Sequence, residues 1–306
     1  MALPLTEQVN PDTEDIDRCG TLAILQKINR EDRRVAEAAE KCLEALVPAV
    51  EAAAERLARG GRMFYFGAGT SGRIGVLDAS ECACTYGVPP DMVQAVIPGG
   101  YETIPDAALG DEDDTAAAEQ EIRVRGIGEK DVVVGIAASG TTPYVLAAVR
   151  AARRAGAYTV GVCNNPDTPL ERETDTAAVL LTGPEVIQGS TRMKAGTSAK
   201  LVLNMLSTAV MIRLGRVYRN RMVEITAFNE KSRRRCVGIL CELTGVGEAQ
   251  AVQTLAACGF VLKPALVCCL TGCTPQQAKA QLAEHGGHIA QLLDARQTPE
   301  TPKETE

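Results

Sequence analysis

Residues suited to binding an oxyanion cluster in two short stretches of the chain. The first, Gly67-Ala68-Gly69-Thr70-Ser71-Gly72-Arg73, directly follows the apolar run 63–66. The second, Ala137-Ala138-Ser139-Gly140-Thr141-Thr142, follows the apolar run 132–136. A buried strand that enters a tight turn and then a helix leaves backbone N–H groups exposed at the helix N-terminus, where they bind an anion. Thr70, Ser71, Ser139, Thr141 and Thr142 add hydroxyl donors. Two such loops on one sheet suit a single phosphorylated small molecule held from two sides. Either loop alone is also what any tight strand-to-helix turn requires.

Gly67-x-Gly69-x-x-Gly72 fits the dinucleotide fingerprint, a weak match by itself. No acidic residue ends a second strand about 20 residues later in the right context, and Thr70 and Ser71 suit a terminal phosphate better than a bridging pyrophosphate. A Gly-Lys-Ser/Thr phosphate loop is absent, which argues against nucleotide hydrolysis. A third loop, 188–197, carries Ser190, Thr191, Arg192 and Lys194 ahead of a helical pattern. It reads equally as part of the anion site or as a solvated basic turn.

Carboxylates come next. Asp78 and Glu81 end the helix that starts at the first loop, and Asp111-Glu112-Asp113-Asp114 follows Gly110. Acidic clusters are usually solvated faces, but two carboxyl groups flanking a sugar can supply one acid and one base. A helix from Ser71 to Glu81 is about 15 Å long, whereas a hexose phosphate spans about 9 Å by bond counting. A second copy of the chain supplying Glu81 across an interface would remove that mismatch, so a homodimer is expected.

These residues need a scaffold, and the apolar pattern supplies one. Residues 21–57 have helical spacing with an interruption near Asn29-Arg30-Glu31, and 58–61 stop the helix. Apolar runs at 62–66, 92–97, 131–136, 158–163 and 178–182 read as strands. Helical patterns lie between them at 73–81, 103–124, 143–155 and 196–215. The alternation predicts an α/β fold: a doubly wound parallel sheet in three αβα layers, with ligands beyond the carboxyl ends of the strands. After Asn229 the pattern is helical, with three short helices at 247–258, 261–270 and 274–284. The basic stretch Lys231-Ser232-Arg233-Arg234-Arg235 reads as an exposed helix face, with Lys231 alone a candidate for the site. The expected division is an N-terminal helical segment (1–56), a sugar-phosphate domain (57–245), a C-terminal three-helix appendage (246–296) and a disordered tail (297–306).

Composition sets outer limits. The chain has 306 residues, 45% of them hydrophobic, and a net charge of −7. An acidic chain with 3% aromatics and no Trp has neither the basic surface nor the stacking platforms of a nucleic-acid binder. The eleven cysteines are odd in number and follow no zinc or disulfide spacing, so they are expected to be reduced. His285-x-x-His288 lacks carboxylates at ligand spacing, and no metal or cofactor is expected. No signal-peptide pattern is visible, and no apolar stretch reaches the roughly 20 residues of a membrane span. The expected location is cytoplasmic, with no membrane partner.

Residues 67–81, Gly-Ile-Ala-Ala-Ser-Gly-x-Thr-Pro-Tyr-Val (135–145), Gly-Ser-Thr-Arg-Met-Lys-Ala-Gly-Thr (189–197) and Asn-Glu-Lys (229–231) resemble the bacterial N-acetylmuramic acid 6-phosphate etherases from Leu5 to about Leu293. The vertebrate glucokinase regulatory protein shares parts of the first motif. The resemblance implies a sugar isomerase-type (SIS) domain acting as a homodimer. It implies cleavage of a lactyl ether to N-acetylglucosamine 6-phosphate and D-lactate, a step in cytoplasmic recycling of peptidoglycan sugars. By motif position Glu81 matches the family's proton donor and Glu112 its second acidic residue; the residues themselves leave the acid and base roles interchangeable. Gly69, Thr70, Ser71, Ser139, Thr141, Thr142 and Ser190 fall in the phosphate loops. Asn229 and Lys231 are similar to residues that reach the ligand from the partner half of the assembly. Thr141 stands where the family commonly has Arg; Arg73, Arg192 and Lys194 are the cations that could replace it. Cys82 and Cys84 stand where Pro is frequent. Without the resemblance, the same loops would also suit a sugar-phosphate isomerase or a non-catalytic sugar-phosphate sensor.

Overall fold

The computed structural model describes residues 3–106, 111–225 and 229–297. β1 (Met63–Gly67), β2 (Val93–Val96), β3 (Val132–Ile136), β4 (Tyr158–Cys163) and β5 (Thr176–Val179) form a five-stranded sheet in the order β2-β1-β3-β4-β5. Every pairing is parallel. β1 and β3 are buried at every residue, which is why both read as unbroken apolar runs rather than as alternating ones. The helices that accompany the sheet are α1 (Thr21–Glu40), α2 (Leu43–Ala58), α3 (Gly69–Tyr86), α4 (Thr115–Val124), α5 (Pro143–Arg154), α6 (Pro169–Glu173) and α7 (Lys194–Arg213). Phe64, Phe66 and Val133 pack with Ala118 and Ile122 of α4 and Tyr144, Val145 and Val149 of α5. Tyr65, one residue out of phase, meets α3 at Gly75, where a Cβ would lie 3.0 Å from the Tyr65 Cβ. The expected three-layer doubly wound sheet is present.

Several elements differ from their sequence reading. α1 runs unbroken through Asn29-Arg30-Glu31, because Glu31 is buried and receives Lys194 Nζ at 2.6 Å and Asn10 Nδ2 at 2.8 Å. The helix expected at 103–124 is instead a short 3-10 turn at Tyr101–Thr103 and, beyond the undescribed residues 107–110, α4. α4 starts late because Asp114 caps it, accepting the Ala117 N–H at 2.8 Å. β5 begins at Thr176, two residues before the expected strand at 178–182. The expectation that no apolar stretch could span a membrane needs correcting. Among the described residues α7 is one helix of 20 residues, mean hydropathy 1.3 over its most apolar window, that passes by length and composition. Its window is 56% buried, and it contributes Ala199, Val202, Leu203 and Leu206 to the core.

The chain divides into two compact units. The first holds residues up to Cys82 and Pro89–Val210; the second holds Ala83–Val88 and the chain from Met211. The second unit contains the hairpin β6 (Val217–Tyr218) and β7 (Arg221–Met222), and helices α8 (Glu230–Thr244), α9 (Glu248–Ala257), α10 (Leu262–Thr271), α11 (Pro275–Glu284) and α12 (Ile289–Gln297). Leu240, Leu255, Leu262, Leu266 and Leu292 share one core, so the boundary expected at 245–246 falls inside this unit. α12 follows Gly286-Gly287, which hid it from the periodicity. The tail expected to be disordered lies, from residue 298 on, outside the described residues. All eleven cysteines are free thiols. Burial pushes the Cys268 thiol up to about 12, which suits packing rather than reactivity.

Among the described residues the Lys194–Glu31 pair is the most deeply buried ion pair of the first unit, its side chains 0% and 1% exposed. Removing one partner strands a buried charge. Lys194→Met should therefore lower unfolding free energy by about 3–5 kcal/mol. The double variant Lys194→Met/Glu31→Gln should lose less than the sum of the two single variants, as read by urea unfolding.

Candidate active site

The winding of the sheet reverses at β1. The chain leaves β1 through α3 to β2 on one flank, then passes through α4 to β3 on the other. Gly67 is the register partner of Ile136, so the loops after β1 and β3 start side by side, about 4.8 Å apart. A crevice at this reversal is where ligands bind in open parallel sheets.

The first loop turns within two residues. A Cβ on Gly72 would lie 2.4 Å from the Gly67 carbonyl oxygen, and one on Gly67 would lie 2.7 Å from the Gly72 nitrogen. Strand end and helix therefore touch backbone to backbone. α3 opens at Gly69, which puts Thr70 and Ser71 in its first turn, where N–H groups have no partner in the helix. Among the described residues neither hydroxyl is engaged. In the second loop Gly140 has φ +71°, and a Cβ there would fall 2.4 Å from Thr168 Cβ. The Ala138 carbonyl is fixed by the Asn164 N–H at 2.9 Å and Asn165 Nδ2 at 3.0 Å. Ser139 Oγ accepts the Thr141 N–H at 3.1 Å. Thr142 is the N-cap of α5 and makes no side-chain cap bond, which leaves its hydroxyl for a ligand.

The third loop does reach the first. A Cβ on Gly196 would stand 3.2 Å from Thr70 Cγ2, so the start of α7 abuts the first turn of α3. Ser190, half-buried, turns this segment with its N–H on the Ile187 carbonyl at 3.0 Å. The cations expected there are mostly committed elsewhere. Lys194 is buried against Glu31. The N-terminus of α7 is filled by the Glu185 carboxylate, which accepts the N–H groups of Lys194 at 3.0 Å and Ala195 at 2.9 Å. Burial raises the Glu185 carboxyl, and those N–H groups oppose the rise. Arg73 donates to the carbonyls of Ile104 at 2.6 Å and Thr103 at 3.1 Å. Arg192 is exposed and makes no ion pair among the described residues.

The two glutamates differ from their acidic neighbours. The Glu112 carbonyl accepts the Tyr144 N–H at 2.9 Å, which ties Glu112 to the first turn of α5 and hence to the second loop. Asp111 and Asp114 are occupied in turning and capping the chain, accepting from Asp113 N–H at 2.9 Å and Ala117 N–H at 2.8 Å. On α3, Glu81 is exposed whereas Asp78 is buried. Asp78 accepts Tyr65 Oη at 2.7 Å, Asn204 Nδ2 at 2.6 Å and Ser207 Oγ at 3.1 Å. It joins α3 to β1 and α7. Burial, together with the Asp78 charge, raises the Tyr65 phenol well above its usual range, so Tyr65 stays a hydrogen-bond donor.

Known proteins share both the architecture and the sequence. Residues 45–153 match the family model of the glucokinase regulatory protein N-terminal SIS domain, and residues 116–209 match the SIS domain. The phosphoheptose isomerase of Francisella tularensis superimposes with a TM-score of 0.51 at 17% identity, over 63% of this chain and 100% of that one; this shows the fold alone. The N-acetylmuramic acid 6-phosphate etherases of Yersinia pestis (strain Pestoides F) and Yersinia pseudotuberculosis (serotype O:1b) are each 46% identical over 289 residues, 94% of this chain and 98% of theirs. This chain belongs to the N-acetylmuramic acid 6-phosphate etherase family.

Within this etherase-family chain the register of β1 and β3 starts the loop that carries Gly69, Thr70 and Ser71 beside the one that carries Ser139, Thr141 and Thr142, Gly196 comes against Thr70, and Glu112 is tied to α5. Asn229 and Lys231 belong to the second unit, where both line a cavity of about 480 Å³. Asn229 also caps α8 in a reciprocal box with Ser232. Sequence reasoning missed Asn164, Asn165 and Asp78 as residues that position the site. The first two carried a visible signal, since Asn-Asn-Pro (164–166) directly follows a strand; Asp78 was visible only as a carboxylate near the first loop, and its positioning role was not, because its partners lie 13, 126 and 129 residues away.

If the α3 start grips a phosphate, Thr70→Val and Ser71→Ala should each raise the Kd of a hexose 6-phosphate about 10- to 100-fold, the range for hydrogen bonds to charged groups. Isothermal titration calorimetry reads this directly, and unfolding midpoints should stay near wild type because neither hydroxyl supports the fold.

Proposed function

We propose that this chain cleaves the lactyl ether of N-acetylmuramic acid 6-phosphate, giving N-acetylglucosamine 6-phosphate and D-lactate. The observation that carries the reading is the pair of hydroxyl-lined helix starts at the β1/β3 reversal, with Glu112 anchored to the second of them. Family membership supports the same substrate.

An alkoxide is a poor leaving group, so direct displacement by water is slow. In the ring-opened sugar the C1 aldehyde acidifies the C2 proton, and the lactyl oxygen on C3 is β to that carbonyl. In this proposal Glu112 removes the C2 proton while Glu81 protonates the ether oxygen. The C3–O bond breaks, D-lactate leaves, and an α,β-unsaturated aldehyde remains. Glu81, now a carboxylate, activates water for addition at C3, and Glu112 returns a proton to C2. The sequence needs two carboxyl groups in opposite protonation states, and no step calls on a metal or nicotinamide. Phosphate at the loops anchors the end of the sugar remote from the reacting carbons.

A homodimer is part of the proposal. Ser71 and Glu81 lie ten residues apart on α3, about 15 Å along its axis, so a partner copy delivering Glu81 to a phosphate held on this chain would suit one hexosamine. A cytoplasmic place in peptidoglycan sugar recycling accords with this substrate. A sugar-phosphate isomerase on the same fold would share the C2 base but release no lactate.

Purified protein incubated with the substrate should release D-lactate, and product formed in deuterium oxide should carry deuterium at C2. Unlabelled product would exclude the elimination route. Glu81→Gln and Glu112→Gln should each lose about 10²- to 10⁴-fold in kcat while still binding N-acetylglucosamine 6-phosphate. Light scattering should give twice the chain mass.

A further inference from the structure

The start of the chain looks irregular in the sequence, yet it is tied to the second loop. Its 3-10 turn at Leu5–Glu7 buries Thr6 to 1% exposure, against Asn165 at 3%. The two residues bond reciprocally. The Thr6 N–H donates to Asn165 Oδ1 at 3.3 Å, and Asn165 Nδ2 donates to Thr6 Oγ1 at 3.0 Å. The other hydrogen of the same Nδ2 goes to the Ala138 carbonyl at 3.0 Å, so both donors of the amide are used. Thr6 thereby decides which end of the amide meets Ala138. With Oδ1 committed to the Thr6 N–H, Nδ2 is the end left for that carbonyl. The same segment is fastened to 186–188: Gln188 Nε2 donates to the Glu7 carbonyl at 2.8 Å, and Thr13 Oγ1 to the Val186 carbonyl at 2.8 Å.

The consequence lies one atom further along the second loop. A trans peptide is planar, with its C=O and N–H pointing to opposite sides. The Ala138 carbonyl and the Ser139 N–H share one such peptide. Asn165 Nδ2 and the Asn164 N–H, the latter at 2.9 Å, hold the carbonyl, so the Ser139 N–H faces away from both asparagines. That N–H donates to no group among the described residues.

We propose that Thr6 is a positioning residue: through Asn165 it fixes the peptide between Ala138 and Ser139, so that the Ser139 N–H is preset to donate to the phosphate of the sugar. The inference rests on the phosphate-site part of the proposed function, not on ether cleavage. A donor already oriented binds an anion without the cost of ordering the peptide on binding. Loss of the Thr6 hydroxyl leaves a buried Asn165 N–H without its acceptor. Such a group carries its full desolvation penalty, which favours rotation of the amide and frees the Ala138 carbonyl from it. The Asn164 N–H still holds that carbonyl, so the loop is loosened rather than lost.

The test compares wild type with Thr6→Val, Thr6→Ala and Thr6→Ser by calorimetry, with N-acetylglucosamine 6-phosphate as the probe. Kd should rise about 3- to 10-fold in Thr6→Val and Thr6→Ala, while Thr6→Ser, which keeps the hydroxyl, should stay within about twofold of wild type. Thr6→Ala carries the comparison if Thr6→Val does not fold. A double-mutant cycle separates positioning from support of the fold: in an Asn165→Ala background Thr6→Val should add no further rise in Kd. In turnover the loss should fall on KM rather than on kcat. An unchanged Kd in Thr6→Val and Thr6→Ala, an equal rise in Thr6→Ser, or an undiminished effect in the Asn165→Ala background would overturn the inference while leaving the etherase reading intact. The expected Kd pattern without D-lactate release from N-acetylmuramic acid 6-phosphate would overturn the etherase reading and leave the inference standing. Wild type that bound no sugar phosphate would overturn both.

Discussion

The backbone contact between the end of β1 and the first turn of α3 is the constraint on which the site depends. A helix N-terminus binds an anion only if its open N–H groups face a ligand-sized gap, and at the β1/β3 reversal that gap lies at the strand ends. Bringing the helix start this close leaves no room for a Cβ at Gly67 or Gly72. The same economy of volume recurs at Gly140 beside Thr168 and at Gly196 beside Thr70. Small residues at these positions let the chain segments approach this closely.

Convergence must also be held. Buried polar groups do this, each joining elements distant in sequence. Asp78 ties α3 to β1 and α7, and Asn164 and Asn165 fix the second loop through the Ala138 carbonyl. Asn165 also exchanges hydrogen bonds with Thr6, so the N-terminal segment, which looks irregular in the sequence, is fastened to the site end of the sheet. Glu31 and Lys194 lock α1 to α7. Buried polar groups are costly unless fully partnered, so each of these networks favours one arrangement of the helices around the crevice.

Charge is sorted with the same selectivity. Of the cations near the loops, Lys194 pairs with Glu31 and Arg73 holds the Thr103 and Ile104 carbonyls, while Arg192 remains exposed. In the second unit Glu224 is neutralised by Lys263 and Arg216, and among the described residues Lys231 and Arg235 make no ion pair.

Much of this was written in local pattern. Apolar runs gave four of the five strands within a residue or so at either end, and the two glycine-hydroxyl loops marked the ends of β1 and β3, because period and turn chemistry are properties of neighbouring residues. Glu81 and Glu112 were singled out by motif and by position after a loop. What local pattern could not carry was pairing across long separations. Whether Lys194 serves a ligand or a core, whether Asp78 or Glu81 faces solvent, and whether α1 breaks at Glu31 all turn on partners up to 163 residues away. Residue types and spacing determined which chemistry was possible; only the folded chain decided which of those groups remain available, because burial and prior partners remove a side chain from chemistry without changing its name.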